Sequence, residues 1–117
     1  MENQFKAEVV RLIAIGTTEQ ALEMLAEHYK VTTPKLRVGL PKGRRSTALG
    51  CYEPKNKTIS VLNSDVFKQP FVIIHEFYHH LRTRVDLEHK GTEKNADRFA
   101  GEFLEAYQSE MLERFTK

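Results

Sequence analysis

His75-Glu76-Phe77-Tyr78-His79 sets two imidazoles four residues apart, with a carboxylate directly after the first. On a helix, residues four apart differ by about 40° of rotation, so both rings project from one face. That separation suits two corners of a tetrahedral zinc site. Glu76 comes next round the helix, close enough to touch a metal-bound water without becoming a ligand. Zinc brings the pKa of such a water to about 7, and the carboxylate takes its proton as the hydroxide attacks a carbonyl. From average composition, His-Glu-x-x-His arises by chance in roughly a few per thousand chains of this length. A purely structural role would bury His-Glu-x-x-His-His in a core, for which it is poorly suited.

A catalytic zinc needs a third protein ligand and one open position. Position 85 is Val85, so the metzincin pattern, with a third histidine six residues beyond the second, is excluded. Fourteen residues beyond His79 stands Glu93, in Glu93-Lys94-Asn95-Ala96-Asp97-Arg98-Phe99-Ala100. Glu93 and Asp97 share a helical face. In one reading Glu93 binds zinc and Asp97 accepts a hydrogen bond from the remaining ring N–H of His75, fixing its tautomer. In the other, both acids simply face water. His89, between the two helices, is the rival third ligand.

These residues need elements to hold them. Pro70 suits the first turn of a helix that runs through the histidines to about Arg84. Gly91-Thr92 separates it from a long helix over about Glu93 to Phe115, where Phe99, Phe103, Tyr107 and Met111 recur at steps of four, with Leu104 and Leu112 alongside. Upstream, Phe5 to Ile15 reads as a helix closed by Gly16. Thr17 and Gln20 stand at capping-box spacing before a second helix, with Leu22, Leu25, Ala26 and Tyr29 as its stripe and Pro34 beyond its end. Leu36 to Leu40 alternates like a half-buried strand. Thr47 to Tyr52 and Thr58 to Leu62 flank the turn-rich Glu53-Pro54-Lys55-Asn56-Lys57 as a hairpin. Helices, then strands, then helices predict an α+β domain.

The 117 residues suffice for one domain, and 40% apolar content supports a modest core. No apolar run approaches the roughly 20 residues of a membrane span, and the N-terminus does not read as a secretory signal. One cysteine, Cys51, excludes an internal disulfide. A soluble, cytoplasmic protein without a membrane partner is expected. A net charge of +2 does not by itself argue for nucleic acid.

HExxH followed by ExxxD resembles the gluzincins, zinc peptidases whose third ligand is a glutamate. Glu-x-x-Ala-Asp-x-Phe-Ala is also similar to ImmA/IrrE-type peptidases and to the cores of CaaX-processing peptidases. The short length is most similar to the minigluzincins, small archaeal peptidases that occur as latent zymogens. The resemblance covers about Gly50 to Ala106. It implies one Zn2+ per chain held by His75, His79 and Glu93, with Glu76 as general base and acid and Asp97 supporting a ligand. It also implies a zincin-like domain over residues 1–117, with a small, mostly antiparallel sheet packed on the active-site helix and a backing C-terminal helix. Peptides or unfolded proteins would be the substrates. In zincins an edge strand before the active helix pairs with extended substrate, and Lys57 to Leu62 matches that place. The sequence shows no counterpart of the subdomain that supplies the larger gluzincins with an oxyanion-stabilising His or Tyr, nor of the helix-turn-helix often fused to ImmA-type proteins.

Other residues have weaker claims. His80 points about 100° away from His79 and reads as a surface or supporting residue. Tyr52 and Tyr107 are candidate oxyanion donors, although core or surface roles are the ordinary alternative. Cys51 is either a buried strand residue or an occupant of the open zinc position in a latent form. Lys30, Lys35, Arg37, Lys42, Arg44 and Arg45 read as a solvated basic face, since no DNA-binding motif accompanies them. The first 16 residues or the tail after Tyr107 are candidates to cover the site.

Overall fold

An apolar face at Val9, Val10, Leu12 and Ile13 carries helix α1 over Glu2–Ala14 in the computed structural model, which describes residues 2–42, 49–82 and 92–116. Glu2 in the first turn complements the helix dipole, and the helix begins three residues ahead of the expected Phe5. Gly16, at φ 96°, turns the chain into α2 (Thr18–Tyr29). The capping box expected from Thr17 and Gln20 does not form. The Thr17 hydroxyl instead donates to the Leu12 carbonyl at 2.8 Å, closing α1 rather than opening α2. The tight turn brings Thr17 onto that carbonyl, which also accepts from the Thr17 backbone N–H at 2.8 Å. Helix α2 ends at Lys30 in the left-handed conformation, and the backbone there caps the Ala26 and Glu27 carbonyls.

Three short strands follow among the described residues: β1 (Lys35–Val38), β2 (Gly50–Glu53) and β3 (Thr58–Val61). The expected hairpin forms between β2 and β3, with Cys51 opposite Ser60 and Tyr52 opposite Ile59. The sheet is mixed rather than mostly antiparallel. Strand β1 runs parallel to β3 from Lys35 opposite Thr58 to Val38 opposite Val61, and the order is β1-β3-β2. All four residues of β3 are buried, as its place between the other two strands requires. Lys57 to Leu62 therefore supplies no edge; β2 is the edge strand that meets the next helix.

A 3-10 turn at Ser64–Lys68, capped by the Asn63 side chain, leads into α3 (Pro70–Arg82). Helix α4 spans Thr92–Thr116. Phe77 of α3 and Phe103 of α4 meet Ile13, Leu22, Leu25, Ile59 and Ile73 in one core. Each such side chain contributes about 1.5–3 kcal/mol of burial. Ala96, Ala100 and Ala106 are also buried, so α4 approaches its neighbours on small residues as well as on the aromatic stripe. The expected stripe fades toward the C-terminus, where Leu112 is 65% and Phe115 79% exposed. The α+β class is as expected. No helix among the described residues is long and apolar enough to cross a membrane.

Candidate metal centre

Helix α3 presents three stripes. Ile73, Ile74 and Phe77 enter the core. Val72, Glu76 and His80 face β2. A Cβ placed on Gly50 would stand 2.9 Å from Val72 Cγ1 and 3.5 Å from Glu76 Cγ, so only glycine permits this approach. Phe71, His75 and His79 form the third stripe, with ring centroids 6.0 Å apart for Phe71–His75 and 5.1 Å for His75–His79.

The first turn of α4 closes on that third stripe. Glu93 Oε2 lies 3.1 Å from His75 Nε2, and Glu93 Oε1 lies 2.7 Å from His79 Nε2. Ligand atoms of all three residues fall within 4.8 Å of one another. Zinc–ligand bonds of roughly 2.0–2.2 Å in a tetrahedron would space such atoms by about 3.3–3.6 Å. The carboxylate thus sits inside that spacing as a hydrogen-bond acceptor, slightly so at His75 (3.1 Å) and by more at His79 (2.7 Å). At 76% side-chain exposure Glu93 has room to back off, and the donor set fits zinc.

Asp97 Oδ1 stands 2.9 Å from His75 Nδ1. The contact is off-axis, however, and Nδ1 is buried with no hydrogen bond among the described residues. The separation is right for the expected support of His75, and a small rotation of Asp97 would supply the direction. Burial holds the His79 pKa below its ordinary value, assisted by neighbouring His75 and opposed by Glu93. The neutral imidazole so favoured is the form that binds metal. Glu76, one residue round the helix from His75, is 7% exposed and lies beneath the start of β2.

The structure assigns His80 and Tyr52 to each other. His80 Nε2 lies 2.7 Å from the Thr32 carbonyl, which only accepts, so Nε2 carries the proton. Nδ1 then accepts from the Tyr52 hydroxyl at 2.7 Å. That hydroxyl is committed as a donor and has no proton for an oxyanion. Burial lowers the His80 pKa against the opposing pull of the Thr32 carbonyl, and the charge of Lys57 lowers it further. Strand pleating alone did not reveal this pair; it depends on β2 lying along α3.

Other candidates read from the sequence lie apart from the histidines. Cys51 is buried but alternates with Gly50 and Tyr52, which face α3, so its thiol points to the opposite face of the sheet. Tyr107 is fourteen residues beyond Glu93, about 21 Å along the helix. Helix α1 meets α4 at Glu102 and Phe103 through Lys6 and Phe5, and Glu8 and Arg11 of α1 share a cavity with Glu110 and Arg114 of the tail, so these parts of both terminal segments lie against each other rather than against His75 and His79. In the basic stretch, Arg37 pairs with Glu53 of β2 at 3.6 Å. His89, Arg44 and Arg45 lie outside the described residues. No protein-family model, curated protein or solved structure matches this chain.

Proposed function

We propose that this protein is a zinc-dependent peptidase acting on peptides or unfolded chains. The observation that carries the reading is the convergence of His75 Nε2, His79 Nε2 and the Glu93 carboxylate on one point, with Glu76 on the adjoining stripe of α3. His75, His79 and Glu93 would hold one zinc ion, and Asp97 would keep the His75 ring oriented. When bound, zinc supplies Lewis-acid chemistry, acidifying water and polarising a carbonyl. Glu76 takes the proton of the attacking water and returns it to the departing amine. Strand β2, at the edge of the sheet among the described residues, would line the cleft beside Glu76. A single cysteine, and hence no internal disulfide, suits work in the reducing cytoplasm.

Zinc content and peptide-library cleavage, measured side by side on wild type and Glu76→Gln, test this. Both forms should carry about one zinc per chain, and the variant should lose about 10²–10⁴-fold in kcat. Zinc retained by both forms with cleavage by neither would instead identify a zinc-binding adaptor. Absence of zinc in metal-replete protein would end the reading altogether.

A further inference from the structure

A cavity of about 370 Å³ lies where the C-terminal end of α3 meets the β2–β3 turn and the end of α2. Tyr52 and His80 form its floor, Val31, Pro54 and Leu81 its apolar walls, and Lys30 and Lys57 its charged lining. Three other cavities of the molecule carry carboxylates: Glu19 in one, Glu19 with Glu23 in a second, Glu8 with Glu110 in the third. This one has no carboxylate among its described lining residues.

The two lysines come from separate elements, Lys30 as the residue that ends α2 and Lys57 from the hairpin turn, both in left-handed backbone at φ 60° and 50°. Neither forms an ion pair with an acid among the described residues. His80 spends both ring nitrogens on Thr32 and Tyr52, so recognition falls to the two ammonium groups. The volume sits at the small end of the roughly 300–1,000 Å³ typical of ligand sites, enough for one amino-acid unit. Strand β2 runs from Gly50 beside Glu76 to Tyr52 beside His80. The cavity therefore lies two residues along β2 from the contact with Glu76.

We propose that the cavity between Lys30, Lys57 and the Tyr52–His80 pair binds a carboxylate carried by a peptide, either its C-terminus or an acidic side chain. The carboxylate preference stands on the cavity itself; the peptide as carrier rests on the peptidase reading above.

Zinc-loaded full chain is titrated with N-acetyl-leucine, N-acetylglutamate α-amide and the neutral N-acetyl-leucinamide, following backbone amide chemical shifts. The two carboxylates should bind about three- to tenfold tighter than the neutral amide, as two exposed ion pairs allow. Shifts should centre on Lys30, Thr32 and Lys57, and the tighter of the two acids identifies terminus or side chain as the source. The double variant Lys30→Asn, Lys57→Asn removes both charges while keeping a residue type that tolerates left-handed backbone. It should abolish the preference. Equal binding of acid and amide, a preference that survives in the variant, or shifts confined to His75, His79 and Glu93 would each overturn the proposal. Carboxylate binding without any peptide cleavage would remove the peptidase reading and leave this site standing; cleavage without carboxylate preference would do the reverse.

Discussion

At the residue scale, the three-residue cluster rests on an exposed acid that reaches two half-buried rings. If Glu93 is the third ligand, Glu93→Ala should weaken zinc retention severely in a chelator competition, whereas His89→Ala should leave it unchanged. Reversal of those results would move the third ligand to His89. Asp97→Ala should weaken zinc about 10–100-fold by freeing the His75 ring. Tyr52→Phe makes a different expectation. It strands a buried His80 nitrogen, so denaturant unfolding should show a loss of about 1–3 kcal/mol, with kcat for peptide cleavage unchanged. A large fall in kcat would show that the hydroxyl serves the reaction after all.

At the element scale, the approach of β2 to α3 is set by the missing side chain at Gly50. Gly50→Ala drives a methyl group to 2.9 Å from Val72 Cγ1, and overpacking of that kind costs about 1–3 kcal/mol. Because the same shift lifts β2 from Glu76, peptide KM should rise along with the stability loss. A variant of wild-type stability and KM would mean that β2 is not held by this contact. The helices were legible in the sequence because their stripes repeat every three or four residues, within one element. The centre of the sheet was not. Nothing within Thr58–Val61 states that two strands will flank it, and its burial on both faces depends on partners distant in the chain.

At the scale of the whole molecule, two imidazoles on α3 titrate below the ordinary value of 6.5, both chiefly through burial. The unfolded chain then binds more protons than the folded one as pH falls below that value. Stability of metal-free protein should therefore be level above about pH 6.5 and decline on acidification through the lowered folded values. His80→Gln should flatten part of that decline in urea unfolding curves measured across pH; an unchanged slope would assign it elsewhere. Added zinc should raise the thermal midpoint in a concentration-dependent way, and a chelator should reverse it. From its own residues the chain specified the α3 and α4 spans, the shared face of His75 and His79, and the shared face of Glu93 and Asp97, because each follows from the pitch of one helix. Tertiary structure decided which strand forms the edge, which tyrosine pairs with His80, and that Cys51 turns away from α3. Those outcomes depend on how α3 packs against β2 through Gly50 and against α4 where Tyr78 meets Phe99, contacts between residues far apart in the chain that no local periodicity encodes.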